Sequence, residues 1–211
     1  MADYKKPDYW QQKARSEGYP ARSVYKLKEI EEKFGLLKTR TGSVRVLDLG
    51  AAPGSWSLYV LRKMNADKSS NRGFLAAVDL SPLSREFDKG LFDSGNFFFI
   101  QGDMTNEEII KTLCEKGPYT TIISDAAPST TGNHTIDAAR SFELAENVID
   151  YAENNLSSGG NLAVKVFQGG DSALLLKRMK TLFETVKSFK PQACRGESTE
   201  IYFIGINRKK S

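Results

Sequence analysis

A single lysine lies in the middle of the apolar segment N-L-A-V-K-V-F, residues 161–167. The segment predicts a strand that is buried on both faces, because its apolar residues do not alternate cleanly with polar ones. A buried ammonium group is rare without a partner. Lys165 therefore predicts a polar site. There a lysine could orient a hydroxyl group, or accept its proton if burial or a nearby cation lowered the pKa of the lysine.

Aspartates also stand at or just after the ends of four predicted strands, at Asp48, Asp79, Asp103 and Asp125. In a parallel α/β sheet, ligands bind outside the carboxyl ends of the strands, so these side chains are candidates for ligand binding. Aspartate is also common in turns and helix caps. That simpler role suits Asp103 better than Asp79.

The loop D-L-G-A-A-P-G, residues 48–54, follows a predicted strand and opens a helix. Gly50 and Gly54 would let a ligand approach the backbone there. A dinucleotide site would show G-x-G-x-x-G with an acid about 20 residues later, whereas Asp79 comes 29 residues after Gly50. We therefore expect a ligand with a ribose for Asp79 but no pyrophosphate, and S-adenosylmethionine is such a ligand. Trp56, in the first turn of the helix, either packs in the core or shapes this pocket.

Strand and helix patterns alternate along the chain. The predicted strands are 44–49, 73–79, 96–101, 119–125, 161–167, 185–190 and 200–206, and the predicted helices are 21–34, 55–64, 106–116, 141–156 and 171–183. This alternation is typical of an α/β fold with a mainly parallel sheet. His134, the single histidine, falls in a predicted mobile loop, where we expect a surface role before a substrate contact.

Five motifs resemble those of the RrmJ/FtsJ-type 2′-O-ribose methyltransferases and span nearly the whole chain. They are V-Y-K-L-K-E-I around Lys26, D-L-G-A-A-P-G-S-W from Asp48, S-D-A-A-P around Asp125, V-K-V-F-Q-G around Lys165 and S-T-E-I-Y around Glu200. The resemblance implies a Rossmann-like, S-adenosylmethionine-dependent methyltransferase. Its fold would be a doubly wound, mainly parallel seven-stranded sheet with an antiparallel last strand. Ser55 stands where the family pattern leads us to expect a second glycine.

The resemblance also implies a role for individual residues. The catalytic tetrad would be Lys26, Asp125, Lys165 and Glu200, with Lys165 as the proposed proton acceptor. S-adenosylmethionine would be held at Gly54, Trp56, Asp79, Asp103 and Asp125, and the loop pattern adds Gly50. No metal is expected. A structural ion-pair network remains the alternative for Lys26 and Glu200, which lie in charged segments.

Positive charge is concentrated at the two ends of the chain. Residues 1–45 carry a net charge of +5 and residues 165–211 a net of +6, whereas residues 46–164 carry −7. The ends would form a phosphate-binding surface if they meet in space, although lysine-rich termini can also merely solubilise a protein. The N-terminal cations and rings that suit single-stranded or splayed RNA are Lys5, Lys6, Lys13, Arg15, Arg22, Lys26 and Lys28, with Tyr4, Tyr9, Trp10 and Tyr19.

The length and composition narrow the protein class. A chain of 211 residues suits one methyltransferase domain, 1–211, with 1–40 as a basic N-terminal extension and helix. No apolar run approaches the roughly 20 residues of a membrane helix. The distant Cys114 and Cys194 argue against a zinc site or a disulfide framework. We expect a cytoplasmic monomer that acts on RNA, and neither DNA nor a membrane as partner.

The leading hypothesis is methylation of a ribose 2′-hydroxyl, on a uridine of 23S rRNA in the large ribosomal subunit. The alternatives are methylation of a tRNA anticodon loop and a catalytically silent RNA-binding protein, which the complete tetrad opposes. A nucleotide-binding oxidoreductase is opposed by the missing phosphate loop. A small-molecule methyltransferase would leave the basic ends unexplained.

Overall fold

The computed structural model describes residues 9–38, 42–66, 73–169, 171–196 and 198–210. The strands in these ranges are β1 (Arg45–Leu49), β2 (Phe74–Asp79), β3 (Phe97–Gln101), β4 (Tyr119–Ser124), β5 (Leu156–Phe167), β6 (Phe183–Phe189) and β7 (Glu200–Arg208). The α-helices are α1 (Tyr9–Ser16), α2 (Val24–Phe34), α3 (Ser55–Ala66), α4 (Glu107–Glu115), α5 (His134–Asn155) and α6 (Ser172–Leu182).

The strands form one sheet in the order β3-β2-β1-β4-β5-β7-β6. The pairs from β3 to β5 are parallel, and β7 runs antiparallel to both of its neighbours, β5 and β6. The predicted fold class is therefore confirmed, including the antiparallel last strand. The strand order reverses between β1 and β4, which is where such sheets open a crevice for ligands.

Helices cover both faces of the sheet. Successive side chains of a strand point to opposite faces, and β1 shows this directly. Val46 packs in the cluster with residues of α1, α2 and α3, whereas Leu47 and Leu49 pack with residues of α4, α5 and α6. All three side chains are fully buried. The sheet is thus the middle layer of three. The carboxyl ends of its parallel strands meet at one edge, between the two helix layers.

Polar groups anchor the end of α2 to the strands that carry the predicted site. Gly35, at φ +62°, ends α2 as predicted, and its N–H donates to the Glu31 carbonyl. Two buried side chains, Thr121 of β4 and Asn161 of β5, then donate to the Leu36 carbonyl at 2.9 Å each. These bonds fix α2 relative to β4 and β5.

Helix α5 differs from its prediction. It begins at His134 rather than at residue 141, because the Asn133 side chain accepts hydrogen bonds from the N–H groups of Thr135 and Ile136. The expectation that His134 lies in a loop is therefore wrong. Helix α5 ends at Asn155, and β5 begins directly at Leu156. Helix α1, within the predicted N-terminal extension, was not predicted as a separate element.

Candidate active site

The ladder between β4 and β5 brings two predicted catalytic residues together. Ser124, the last residue of β4, pairs with Val164 of β5. Asp125 directly follows Ser124, and Lys165 directly follows Val164. Asp125 and Lys165 are therefore neighbours at the carboxyl edge of the sheet. Lys165 Nζ lies 3.0 Å from Asp125 Oδ1 and also donates a hydrogen bond to the Asp125 main-chain carbonyl. The buried lysine therefore has a partner in both charge and hydrogen bonding.

The antiparallel ladder between β5 and β7 adds the third residue. Lys165 pairs with Tyr202, and Phe167 pairs with Glu200. Residues two apart on a strand face the same side, so Lys165, Tyr202 and Glu200 share one face of the sheet. Helix α2 packs on that face and carries Lys26.

The four predicted catalytic side chains form one ion-pair cluster. Lys26 Nζ lies 2.9 Å from Glu200 Oε2 and 3.8 Å from Asp125 Oδ1. Asp125 is thus shared by two lysines. Lys26, Lys165 and Glu200 are buried, and the Asp125 side chain is 16% exposed. We call these four residues the tetrad.

Charge pairing sets the protonation of Asp125 and Lys26. Burial alone would raise the pKa of Asp125, but Lys165, Lys26 and the Tyr202 hydroxyl outweigh it and hold that pKa below its ordinary value. Burial alone would lower the pKa of Lys26, but Asp125 and Glu200 raise it above its ordinary value. At neutral pH, Asp125 is a carboxylate and Lys26 is an ammonium ion, so Lys26 cannot act as a base.

Sequence reasoning missed Tyr202, which completes the cluster. Its hydroxyl donates a hydrogen bond to Asp125 Oδ1, and its ring is fully buried. Burial, followed by the charges of Asp125 and Glu200, raises the pKa of Tyr202 well above its ordinary value, so this hydroxyl stays a donor. The available signal was its place two residues after Glu200 on the same strand, which puts both side chains on one face.

The loop after β1 requires glycine at its first turn. Gly50 has φ +80°, and a Cβ at this position would lie 2.6 Å from the Ala126 Cβ. Asp79 holds the loop from the end of β2, since its Oδ2 accepts from the Ala52 N–H at 2.9 Å and its Oδ1 from the Ser81 N–H at 2.8 Å. Asp79 therefore fixes the backbone of the loop after β1 against the end of β2.

A cavity of about 560 Å³ opens at this edge of the sheet. Its lining includes Gly50, Asp79, Leu80, Asp103, Met104 and Asp125. We call it the cofactor cavity. Leu80, which sequence reasoning did not select, is 70% exposed although it directly follows a buried strand. An exposed leucine at the mouth of a cavity suits the flat face of a ligand ring.

The hydrogen-bond acceptors of the cofactor cavity fit S-adenosylmethionine. Each oxygen of the Asp79 carboxylate retains a lone pair for ribose hydroxyls. Hydrogen bonds from the Thr105 N–H and hydroxyl lower the pKa of Asp103, so Asp103 is a carboxylate whose second oxygen can accept from a base amino group. Asp125 adds a third carboxylate to the lining of the cavity. The acids and the apolar Leu80 together suit a cationic nucleoside.

Comparisons with known proteins identify the family of this chain. The model of the family described as FtsJ-like methyltransferase matches residues 19–208. The chain belongs to this family. It is 50% identical over 206 residues to the Treponema denticola protein named ribosomal RNA large subunit methyltransferase E, covering 98% of this chain and 97% of that one. The Borreliella afzelii protein of the same name is 45% identical over 198 residues, with 94% and 96% covered.

Solved structures also resemble this one. A ribosomal RNA methyltransferase from Plasmodium falciparum matches with a TM-score of 0.73 and 25% identity, covering 92% of this chain and 100% of that chain. Human methyltransferase-like protein 13, solved with S-adenosylhomocysteine, matches with a TM-score of 0.53 and 16% identity, covering 89% and 82%. The second likeness shows the fold alone. Chain and relatives thus share the fold of methyltransferases, and this chain is an FtsJ-like methyltransferase.

Two of the residues that match the family's cofactor positions, Gly54 and Trp56, do not line the cofactor cavity. Trp56 is buried, and its indole N–H donates to the Ser23 carbonyl at 2.8 Å. Gly54 has φ +105°, and a Cβ there would lie 2.9 Å from the Phe92 ring. Both residues therefore lie outside the lining of the cavity, and their contact with the cofactor stays a prediction.

Ser55, which departs from the family pattern, has a structural role. Its hydroxyl accepts from the Ala21 N–H at 2.8 Å and donates to the Ala21 carbonyl at 3.2 Å. A glycine could form neither bond. Ser55 therefore ties the start of α3 to the segment before α2, the helix that carries Lys26.

Segments from the two basic ends of the chain are in contact, which was the condition for a shared basic surface. The Arg22 guanidinium donates to the Ala193 carbonyl at 2.6 Å. The N–H groups of Gln192 and Ala193 donate to Glu29 of α2 at 2.7 and 2.9 Å. The C-terminal segment is therefore fixed against the N-terminal helix.

The predicted stacking rings are placed less uniformly. Tyr19 is buried, with Lys28 Nζ 4.7 Å and Arg62 Cζ 4.5 Å from its ring centroid, so it offers no free face to a base. Tyr9 is 67% exposed and remains a candidate. Tyr4, Lys5 and Lys6 lie outside the described residues.

Among the described residues, no helix is both long and apolar enough to cross a lipid bilayer. In the same ranges, the His, Cys, Asp and Glu side chains form no group of three or more that could hold a metal ion.

Proposed function

We propose that this methyltransferase transfers a methyl group from S-adenosylmethionine to a ribose 2′-hydroxyl of ribosomal RNA. The proposed acceptor is a uridine of 23S rRNA in the large ribosomal subunit. Family membership and the names of the relatives support methylation of large-subunit ribosomal RNA. The choice of uridine comes from the sequence hypothesis. We further propose a single domain that works as a cytoplasmic monomer.

The observation that carries the proposal is that Asp125 belongs both to the lining of the cofactor cavity and to the tetrad. Asp125 lines the cofactor cavity, and its Oδ1 lies 3.0 Å from Lys165 Nζ. A hydroxyl group bound by Lys165 would therefore lie at the border of the cavity, close to a ligand inside it. Methyl transfer needs the attacking oxygen in line behind the methyl carbon, and positioning of this kind can supply roughly 7–11 kcal/mol.

We assign a distinct role to Lys165, Lys26 and Glu200 of the tetrad. S-adenosylmethionine, when bound, would supply a methyl group on a sulfonium sulfur, with neutral S-adenosylhomocysteine as the leaving group. Beyond its bond to Cε, the Lys165 nitrogen has three tetrahedral positions, and the two Asp125 acceptors take two of them. The third is left for the acceptor hydroxyl. Lys26 is fixed as an ammonium ion, so we assign Lys165 to hold the hydroxyl. Lys165 receives the hydroxyl proton in its neutral form, in which the third position is the nitrogen lone pair. Glu200 positions Lys26.

The test is transfer of radiolabelled methyl from S-adenosylmethionine to large ribosomal subunits, to naked ribosomal RNA and to total tRNA. Wild type is compared with Lys165→Ala and with Lys187→Ala, which removes an exposed lysine of β6. We expect label in ribosomal material, lost in Lys165→Ala and kept in Lys187→Ala. Glu200→Ala should lower the rate less than Lys165→Ala does.

Three outcomes would change the proposal. Near-normal activity of Lys165→Ala would refute the role of Lys165. Label in tRNA alone would keep the chemistry and replace the substrate. Nucleoside analysis of the labelled RNA should give 2′-O-methyluridine, and a different methylated nucleoside would refute the choice of uridine.

A further inference from the structure

A groove of about 540 Å³ lies between the first half of α5 and the start of α6. It is nearly as large as the cofactor cavity of about 560 Å³. Gly169 and Asp171, which precede α6, line one side of it, and Glu143 of α5 lines both spaces. The other lining residues lie on α5 and are His134, Thr135, Ala138, Ala139, Phe142 and Glu146. We call this space the α5–α6 groove.

The α5–α6 groove opens at the same edge of the sheet as the tetrad. Gly169 follows Lys165 by four residues, just after β5. The Ser141 hydroxyl of α5 accepts the Phe167 N–H at 2.9 Å, which fixes α5 to the strand that carries Lys165. Helix α5 packs on one face of the sheet and α2, with Lys26, on the other. A particle large enough to cover this edge would therefore touch both the tetrad and the groove.

The described lining of the α5–α6 groove is acidic. It includes three carboxylates and no lysine or arginine. Among the described residues, no ion pair and no side-chain hydrogen bond engages these three carboxylates. Arg178 of α6 pairs instead with Asp150 and Glu153, further along α5. RNA phosphates would be repelled by this lining, whereas an ammonium or guanidinium group would be attracted to it.

Exposed apolar side chains flank these acids. Leu174 is 55% exposed and lies three residues after Asp171, so the two are neighbours on the start of α6. Ile136 is 44% exposed and lies three residues before Ala139 on α5. Across the described residues only four large apolar or aromatic side chains are exposed, and these are two of them. Apolar and acidic surface side by side suit a segment that is both apolar and basic.

The α5 side of the groove is preformed. The Asn133 side chain caps α5, as described above. The buried Asp137 carboxylate accepts from the N–H and the hydroxyl of Thr131 at 2.7 and 2.8 Å, and from the Gly132 N–H at 3.3 Å. These bonds fix the first turn of α5 and the loop before it. A partner therefore binds without paying the entropy of ordering this side.

We propose that the α5–α6 groove binds a protein segment of the large ribosomal subunit in which lysine or arginine stands beside an apolar residue. The inference rests on the proposed function, which makes the large subunit the substrate. Ribosomal proteins lie against RNA phosphates, so their segments are rich in lysine and arginine. The basic ends of the enzyme then face RNA and the groove faces protein. This division gives a use to the net charge of −7 in residues 46–164, which RNA binding alone leaves unexplained.

Binding to purified large ribosomal subunits tests the charge of the groove, with Kd measured by co-sedimentation at fixed salt. Glu146→Gln combined with Asp171→Asn removes two lining carboxylates that do not line the cofactor cavity. Glu107→Gln combined with Glu115→Gln removes two exposed carboxylates of α4 as the matched control. The groove variant should raise the Kd about five- to tenfold, as expected for two exposed charge pairs. The control should keep the wild-type Kd or lower it, because the same loss of negative charge favours RNA.

Photo-crosslinking identifies what occupies the groove. The photoreactive residue p-benzoylphenylalanine replaces the exposed Leu174, the enzyme is irradiated with large subunits, and the product is mapped by mass spectrometry. We expect a peptide of a subunit protein with lysine or arginine beside an apolar residue. The yield should fall when Glu146→Gln and Asp171→Asn are added. Equal affinity of all variants for S-adenosylmethionine shows that they are folded.

The outcomes separate this inference from the proposed function. Equal Kd values for the groove variant and the α4 control would refute the charge complementarity. A cross-link to ribosomal RNA, or between two copies of the enzyme, would overturn the choice of partner, and no cross-link to a subunit protein would refute the binding of one. If wild type labels no RNA, the proposed function fails, while the cross-link still decides whether the groove binds a subunit protein.

Discussion

Asp48 should make the folded protein less stable as the pH rises, and Asp48→Asn should remove this effect. Asp48 lies in β1, is fully buried, and has one carboxylate oxygen, Oδ1, without a hydrogen-bond partner among the described residues. The Ser57 hydroxyl donates to the other oxygen at 2.7 Å. Burial, with the charges of Asp125 and Asp79, raises the pKa of Asp48 to about 7 in spite of the Ser57 bond.

The sign of the effect follows from proton binding. Below about pH 4, Asp48 is protonated in both the folded and the unfolded chain. Between about pH 4 and pH 7 the folded chain keeps a proton that the unfolded chain has lost, so the free energy of unfolding falls as the pH rises. The loss is complete above the folded pKa of about 7.

The size of this loss of stability follows from the difference between the folded pKa of about 7 and the ordinary pKa of 3.8. At about 1.4 kcal/mol per pH unit, the full loss has an upper bound of about 4 kcal/mol, of which about 3 kcal/mol falls between pH 5 and pH 8. Asparagine does not titrate and can still accept the Ser57 hydrogen bond. Relative to wild type, Asp48→Asn should therefore gain up to about 3 kcal/mol between pH 5 and pH 8.

Urea unfolding at pH 5, 6, 7 and 8 measures this difference without bound cofactor. Asp171→Asn is the matched control, because Asp171 is exposed and makes no side-chain cap hydrogen bond. Its stability difference from wild type should stay constant over the same range. A difference between Asp48→Asn and wild type that is flat in pH, or that falls as the pH rises, would refute the raised pKa and the burial argument behind it.

Three further changes test other parts of the site. Gly50→Ala should cost roughly 1–3 kcal/mol of stability and abolish cofactor binding, because the residue has φ +80° and its new Cβ would lie 2.6 Å from that of Ala126; an unchanged melting temperature would contradict this. Tyr202→Phe removes the hydroxyl that donates to Asp125 and should lower kcat about tenfold with the same affinity for S-adenosylmethionine by calorimetry; wild-type kcat would show that the hydroxyl is dispensable. Trp56→Phe loses the indole hydrogen bond and should cost about 1 kcal/mol in urea unfolding. Its affinity for S-adenosylmethionine should also fall, as the predicted cofactor contact of Trp56 requires, and an affinity at the wild-type value would restrict the indole to a structural role.

Local patterns predicted most of the fold and much of the site. The apolar runs that end in Asp79 and before Asp125 are strands, and Gly35 ends α2 as predicted. These features depend on neighbours in sequence, so they can be read from one chain. Helix α5 was predicted to start too late, because Asn133 resembles a loop residue until its side chain is seen to cap the helix.

Contacts between distant segments were harder to predict. The tetrad was predicted through the family resemblance, since Lys26 and Glu200 are 174 residues apart in sequence. Tyr202 was missed because a tyrosine in a strand is usually a packing residue. The link from Ser55 to Ala21 was missed because the two residues are 34 positions apart in sequence.

The sequence by itself determined the order of the strands and of the helices from α2 onward. It also determined the loop that needs glycine, the residues at the strand ends and the basic character of both termini. The tertiary structure alone decided which of these residues meet and in what charge state. Asp48 and Asp125 are both acids at strand ends, yet burial raises the pKa of one while two lysines lower that of the other. Desolvation and charge pairing depend on distances in space, and the sequence does not contain those distances.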